Sequence, residues 1–187
     1  MFLFLFLFAC RQPDRFATLH TDFGDVRVRL FGDQAEQVEA FGSMAAGPDT
    51  VFLGAFFRGY WATLGTDFPK NWPENWRAMR LEQPSSRPHL RGTLTMLNLP
   101  RENGVPQHFQ IVLGKPLTEA ELDKYGRKLP PDIRKQYLAR GGEPAWDERS
   151  VVFGEVIEGM DVLDRIAAMP TDGERRPLRP VPVRIAQ

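Results

Sequence analysis

Residues 151–185, VVFGEVIEGMDVLDRIAAMPTDGERRPLRPVPVRI, give the most specific indication of how this chain folds. The β-branched run 151–157 predicts a strand. Residues 159–169 predict a helix, because their apolar side chains recur at helical spacing. Residues 181–185 predict a closing strand, and Pro182 within it is typical of a sheet edge or a barrel rim.

The N-terminal half continues the pattern of short strands. FATLHT and VRVRLF, within residues 16–31, alternate apolar and polar positions around the turn Asp22-Phe23-Gly24-Asp25, and so predict a hairpin. Residues 33–46 predict a helix, and residues 51–65 predict short strands with a loop. The stretch 67–88 reads as a long irregular loop, which in a compact domain is usually functional or mobile.

The second half adds strands and two helical pieces. Residues 92–97 and 108–113 predict strands, and Thr118–Glu121 resembles a capping box that opens a helix. A second helical piece is expected to start at Pro130-Pro131 and to end at the glycine pair 141–142. Pattern alone therefore favours a mainly β chain, either a barrel or a sandwich, with helices packed on its ends.

Composition excludes several function classes. The 187 residues carry 24 Lys+Arg and 24 Asp+Glu, and this balance argues against a nucleic-acid surface. The single cysteine excludes an intramolecular disulfide, and the three histidines lack metal-ligand spacing, so we predict no metal site. A Ser150–His108–Asp147 trio can be written, but geometry alone identifies a triad.

The first fifteen residues differ from the rest. MFLFLFLFA, residues 1–9, has the length of a signal-peptide core, and Leu7-Phe8-Ala9-Cys10 looks like a bacterial lipobox with Cys10 as the lipidated residue. Residues 10–15 would then be a tether. The expected location is the cell envelope, anchored by lipid or periplasmic. The segment has no Lys or Arg before Arg11, and if it is only an apolar leader the location is cytoplasmic.

Residues 152–162 carry a family resemblance. V-F-G-x-V-x-E-G-M-D-V resembles the C-terminal third of cyclophilin-type peptidyl-prolyl isomerases, and residues 21–31, 91–94 and 109–114 resemble earlier parts of that family. The resemblance extends over residues 16–187 and treats residues 115–142 as a helical insertion. It implies a closed eight-stranded β-barrel with a helix at each end, and a monomer without a cofactor.

The resemblance also implies site residues. Phe56-Phe57-Arg58 matches the family's F-H-R segment with Phe57 in place of His, so Arg58 is expected to be the catalytic group. The positions expected to contact substrate are Phe56, Trp61, Leu64, Leu97, Asn98, His108, Phe109, Gln110, Trp146 and Ser150.

Several of these positions depart from the family's pattern. Leu64 stands where a glutamine would grip the substrate backbone, and leucine cannot form a hydrogen bond. Gln110 stands where a ring-packing aromatic is expected, unless a shift of one residue lets Phe109 serve. Ser150 replaces a ring residue. With Leu64, Ala145 and Ser150 at groove positions, we expect weak binding of cyclosporin-type ligands.

Three functions remain open at this point. The first is a prolyl isomerase that assists folding of proline-containing polypeptides. The second is a cyclophilin-like binding or chaperone module of the cell envelope with little catalysis. The third is a structural lipoprotein domain whose groove is vestigial. If the leader is a signal, Cys10 is the expected link to a membrane.

Overall fold

A computed structural model describes residues 12–47, 50–57, 61–65, 87–97, 108–125, 129–147, 150–173 and 175–187, with the backbone alone at 55–57 and 97. The predicted leader, Cys10 and nearly all of the predicted loop 67–88 lie outside these ranges. The strands are β1 Arg15–Thr21, β2 Gly24–Leu30, β3 Val51–Phe57, β4 Trp61–Gly65, β5 Thr93–Leu97, β6 His108–Val112, β7 Ser150–Glu158 and β8 Val181–Ala186. The helices are α1 Ala35–Ala46, α2 Glu119–Asp123, α3 Pro131–Arg140 and α4 Met160–Ala167, and Pro144–Trp146 forms a 3-10 turn.

The strands close into a single antiparallel barrel in the order β1-β2-β7-β5-β6-β4-β3-β8. Closure comes from the C-terminal strand, because β8 pairs with both β1 and β3. The prolines near β8 are accommodated at the barrel's seam, where Pro182 is exposed. The eight-stranded barrel predicted from the resemblance is confirmed, and a closed barrel leaves no free sheet edge.

Alternation along the strands fills the barrel with one apolar core. Val26, Val28 and Leu30 of β2 point inward, while Arg27 and Glu158 form an exposed ion pair across β2 and β7. Helices α1 and α4 contribute to the same core. The Phe41 ring of α1 contacts the rings of Phe109 and Phe153 at 5.4 Å and 5.9 Å between centroids.

The start of α4 requires a glycine. Gly159 has a φ of +90°, and a Cβ atom there would lie 2.4 Å from the carbonyl oxygen of Asp25. Helix α4 then buries Val162, Leu163 and Ile166 against the barrel. The predicted strand–helix–strand order of residues 151–185 is therefore confirmed.

Helices α2 and α3 form a smaller apolar cluster of their own. Leu122 and Tyr137 pack with Leu90 and Leu129, and the predicted capping box at Thr118 and Glu121 is present. The Arg134 side chain joins the two helices by hydrogen bonds to Glu119 and Asp123, at 2.5 Å and 2.8 Å. The cluster holds α2 and α3 beside the start of β5, because Leu90 lies three residues before Thr93.

Within the described ranges, no helix is both long enough and apolar enough to span a bilayer.

Candidate functional site

A row of polar side chains crosses three neighbouring strands on the outside of the barrel. Ala62, Leu64, Phe109 and Ile111 belong to the interior core, so the alternate positions of β4 and β6 face outward. Thr63 pairs with Gln110, and Gln110 pairs with Thr95. We call Thr63, Gln110 and Thr95 the polar row. All three are 0% exposed, although they lie outside the barrel interior.

The layer beside the polar row contains a network of hydrogen bonds centred on His89. The His89 Nδ1 lies 2.9 Å from Asp147 Oδ1, and the His89 Nε2 lies 2.7 Å from Ser150 Oγ. The Thr95 hydroxyl lies 3.1 Å from His89 Nε2 and 2.9 Å from Ser150 Oγ. The Tyr137 hydroxyl donates to Asp147 Oδ1 at 2.7 Å. These contacts join the polar row to α3 and to the 3-10 turn.

The order Asp147–His89–Ser150 has the connectivity of a nucleophilic triad, with His89 in place of the His108 that the sequence trio contained. However, Ser150 and His89 are 0% exposed, and the Ser150 oxygen is also in contact with the Thr95 hydroxyl. A serine nucleophile must reach a substrate carbonyl. The network therefore positions Ser150 and the 3-10 turn, and it does not present a nucleophile.

Two tryptophans mark the margin of this region. The Trp61 ring lies 4.6 Å from the Trp146 ring between centroids, and Trp146 lies edge-on to His89 at 6.1 Å. Trp61 is partly exposed and precedes Thr63 by two residues, so the two share the outer face of β4. Trp146 is buried and belongs to the 3-10 turn. The aromatic pair thus lies beside the polar row at the surface of the barrel.

Some of the predicted site residues lie together on one outer face of the barrel, and others point into its core. Trp61, His108, Gln110, Trp146 and Ser150 lie on or beside the outer face of β4, β5 and β6. The substrate contacts predicted at Leu64 and Phe109 do not fall on this face, because strand alternation turns both side chains into the core.

The remaining predicted positions can be placed only in part. The backbone of Phe56 pairs with Ala62, and the backbone of Leu97 pairs with Ser150. Arg58 and Asn98 lie outside the described residues, so the expected catalytic arginine stays a prediction.

Glu143 is a buried ionisable residue next to the hydrogen-bond network around His89. Burial raises the pKa of its carboxyl, and the negative charge of Asp147 acts in the same direction. Hydrogen bonds from the Ala145 N–H and the Tyr125 hydroxyl partly offset this rise. The described ranges hold no cluster of three or more His, Cys, Asp or Glu side chains arranged to bind a metal ion.

Sequence reasoning missed His89 and Tyr137 as members of the site. His89 lies 58 positions before Asp147 and 61 positions before Ser150, and no local pattern links such distant residues. A weak signal existed for Thr95, because threonines alternate with apolar residues in GTLTML and so mark a polar face on a strand.

Comparisons with known proteins point to one family. A sequence model of the family "Cyclophilin type peptidyl-prolyl cis-trans isomerase/CLD" matches residues 16–187. A relative from Streptococcus pyogenes, described as a bifunctional phosphatase/peptidyl-prolyl cis-trans isomerase, is 37% identical over 93 residues. The match covers 48% of this chain and 19% of the relative. A protein of Staphylococcus saprophyticus, assigned as a peptidyl-prolyl cis-trans isomerase, is 33% identical over 97 residues, 51% of this chain and 48% of the relative. The matched segments thus cover less than half the length of both relatives.

Solved structures agree on the fold. A cyclophilin-type isomerase from Cryptosporidium parvum superposes with a TM-score of 0.59 at 15% identity, covering 93% of this chain and 97% of the other. A structure of the same protein in the presence of the dipeptide Ala-Pro gives a TM-score of 0.59 at 16% identity, covering 92% of this chain and 98% of the other. At this identity the likeness concerns the fold. Because the family's sequence model spans the whole barrel, the chain belongs to the cyclophilin-type peptidyl-prolyl cis-trans isomerase family.

Proposed function

We propose that this chain is a peptidyl-prolyl cis-trans isomerase that acts on extended, proline-containing segments of polypeptides. The observation that carries the proposal is the match of the family over residues 16–187. The outer face of β4, β5 and β6 supports it, because it brings Trp61, Gln110 and Trp146 to one surface of the barrel.

The chemistry of this reaction needs no nucleophile. Rotation about a peptide bond has a barrier of about 18–20 kcal/mol, which for X-Pro bonds makes uncatalysed exchange take tens of seconds or more. A protein lowers that barrier by binding the twisted bond better than the planar one. The enclosed Ser150 is consistent with such a mechanism, because no covalent intermediate is required.

In the proposed mechanism Arg58 weakens the amide resonance. A guanidinium that donates a hydrogen bond toward the prolyl nitrogen stabilises the lone pair that resonance otherwise delocalises. Trp61 offers an apolar surface to the proline ring, and polar groups hold the flanking backbone. Arg58 holds this role by its position in Phe56-Phe57-Arg58.

The test is exchange of an Ala-Ala-Pro-Phe peptide between its cis and trans forms, measured by NMR. We expect the wild type to accelerate exchange and Arg58→Ala to lose about 100-fold of that acceleration, the size found for a removed charge-stabilising donor. Arg27→Ala is the matched control, because Arg27 pairs with Glu158 on the exposed surface of β2. Peptide line broadening without faster exchange would instead indicate a binding module, and no effect at all would rule out the isomerase.

We also propose that Cys10 carries a lipid and anchors the barrel at the cell envelope. The support is the lipobox-like Leu7-Phe8-Ala9-Cys10, followed by residues 11–14 and the start of β1 at Arg15. Mass spectrometry of the membrane fraction should find a diacylglyceryl adduct on Cys10. Cys10→Ser should move the protein to the soluble fraction, and a variant that stays with the membrane would contradict the anchor.

A further inference from the structure

Gln110 is a buried amide whose hydrogen-bonding capacity is unused. Within the part of the chain that the structure describes, neither its Oε1 nor its Nε2 has a hydrogen-bond partner. The hydroxyl of Thr63, directly opposite on β4, also has none among the described residues. Three polar atoms without partners therefore meet at one place in the polar row.

Such atoms make the folded protein less stable. A buried donor or acceptor without a partner lowers the stability of the folded state, and native proteins contain few of them. The neighbours of Gln110 along β6, Phe109 and Ile111, are apolar core residues. No described residue bonds this amide, so its cost indicates that the amide has a partner in another state of the protein.

The position of the amide indicates what that partner is. Gln110 lies on the outer face that holds the proposed isomerase site, one strand from Thr63 and on the same side as the partly exposed Trp61. A carboxamide offers one donor and one acceptor side by side. Those two groups complement the C=O and N–H of a single residue in an extended peptide, which point to the same side of the backbone.

We propose that Gln110 and Thr63 grip the backbone of the substrate. Gln110 Nε2 donates to a peptide carbonyl, Gln110 Oε1 accepts from the N–H of the same residue, and the Thr63 hydroxyl bonds a neighbouring peptide group. Proline has no N–H, so the gripped residue is a neighbour of proline. This inference rests on the proposed function. It supplies a hydrogen bond to the substrate backbone that the side chain of Leu64 cannot form.

Access to the pair requires a local opening. Gln110 and Thr63 are 0% exposed, so a peptide reaches them only when the enclosing side chains move aside. Their polar atoms differ from the Ser150 oxygen, which is held by His89 and Thr95, because they have no hydrogen bonds among the described residues for a peptide to replace. Trp61 is the partly exposed member of this face and lies against the ring of Trp146. Peptide binding should therefore shift the indole N–H resonance of Trp61, whose assignment a Trp61→Phe spectrum supplies.

Gln110→Leu separates the proposal from a structural explanation. We expect the dissociation constant of Ala-Ala-Pro-Phe to rise roughly five- to tenfold, as for one or two neutral hydrogen bonds lost at a buried site. The thermal midpoint should stay level or rise, because the variant removes polar atoms that have no hydrogen-bond partner among the described residues. Thr63→Val should also raise the dissociation constant, by a smaller factor, and should also leave the thermal midpoint level or higher.

Thr93→Val is the matched control. Its hydroxyl is buried on β5 but donates to the carbonyl of Leu90 at 2.8 Å. It should therefore lower the thermal midpoint and leave peptide affinity unchanged, the opposite of Gln110→Leu.

Two modified peptides test the backbone contact itself. One carries an N-methyl group on the residue before proline, and the other on the residue after it. The proposal requires one of them to bind the wild type about fivefold or more weakly, with no further loss in Gln110→Leu. Equal binding of both, or unchanged affinity in Gln110→Leu while the wild type still accelerates exchange, would overturn the grip alone. A wild type that neither binds nor accelerates would overturn the isomerase as well.

Discussion

Removal of the Asp147 carboxylate should destabilise the fold more than most single substitutions. The residue is 6% exposed, and its Oδ1 accepts from three donors: the Tyr137 hydroxyl at 2.7 Å, and the His89 N–H and Nδ1–H, both at 2.9 Å. The His89 N–H also lies 2.9 Å from the Tyr137 oxygen, so it keeps an acceptor if the carboxylate is lost. The other two donors lose this acceptor.

The magnitude follows from those two donors. Each buried group that loses its partner costs about 1–3 kcal/mol, so Asp147→Ala should lower the free energy of unfolding by about 3 kcal/mol. Asp147→Asn keeps an acceptor oxygen at the same place and should lose about 1 kcal/mol. With a urea m-value of roughly 2 kcal/mol per molar, the Asp147→Ala midpoint should fall by about 1.5 M.

Urea unfolding followed by circular dichroism measures both variants. Glu39→Gln is the control, because Glu39 is an exposed carboxylate paired with Arg15, and it should stay within about 0.5 kcal/mol of the wild type. A loss below about 1 kcal/mol in Asp147→Ala, or equal losses in Asp147→Ala and Asp147→Asn, would refute the argument that this oxygen holds the network together.

Three further predictions follow from the fold and the site. Burial raises the pKa of Glu143, so the folded protein binds that proton more tightly than the unfolded chain does, and the wild type should lose stability as pH rises from the ordinary carboxyl range through the raised pKa. In paired unfolding curves, the stability of Glu143→Gln relative to wild type should therefore grow from about pH 4 to about pH 8, and a constant difference would contradict the pKa shift. Gly159→Ala should cost about 2 kcal/mol or more in urea unfolding, because φ is +90° and the new Cβ would meet the carbonyl of Asp25, whereas Gly173→Ala, with no atom within 4 Å of its Cβ, should be neutral. Isothermal titration with cyclosporin A should show weak binding, and tight binding would show that the departures at Leu64 and Ser150 do not alter the groove.

Much of the barrel could be predicted because its elements are specified locally. The alternation in FATLHT and VRVRLF predicted a hairpin, and the structure confirms it as β1 and β2. Thr118 and Glu121 predicted a capping box three residues apart, and both of its hydrogen bonds are present. Residues within one turn or one strand interact wherever the rest of the chain goes, so sequence spacing is enough to predict them.

The candidate site was predicted less completely, because it depends on which strands become neighbours. Trp61, Gln110 and Trp146 were selected from a resemblance, and only the barrel places the Trp61 and Trp146 rings 4.6 Å apart. Leu64 and Phe109 were selected in the same way, but their burial follows from the alternation of inward and outward positions on β4 and β6. The choice of inward face depends on the register between strands, which a single strand does not reveal.

The strands and helices, their order along the chain and the family of the protein could be predicted from local sequence. By contrast, His89 joins Asp147 to Ser150 only in the folded barrel, where Gln110 and Thr63 also meet on a covered outer face without hydrogen-bond partners among the described residues. The physical reason is that strand and helix formation depend on neighbours in sequence, whereas hydrogen-bond satisfaction and burial depend on neighbours in space. Those neighbours exist only after the barrel has closed.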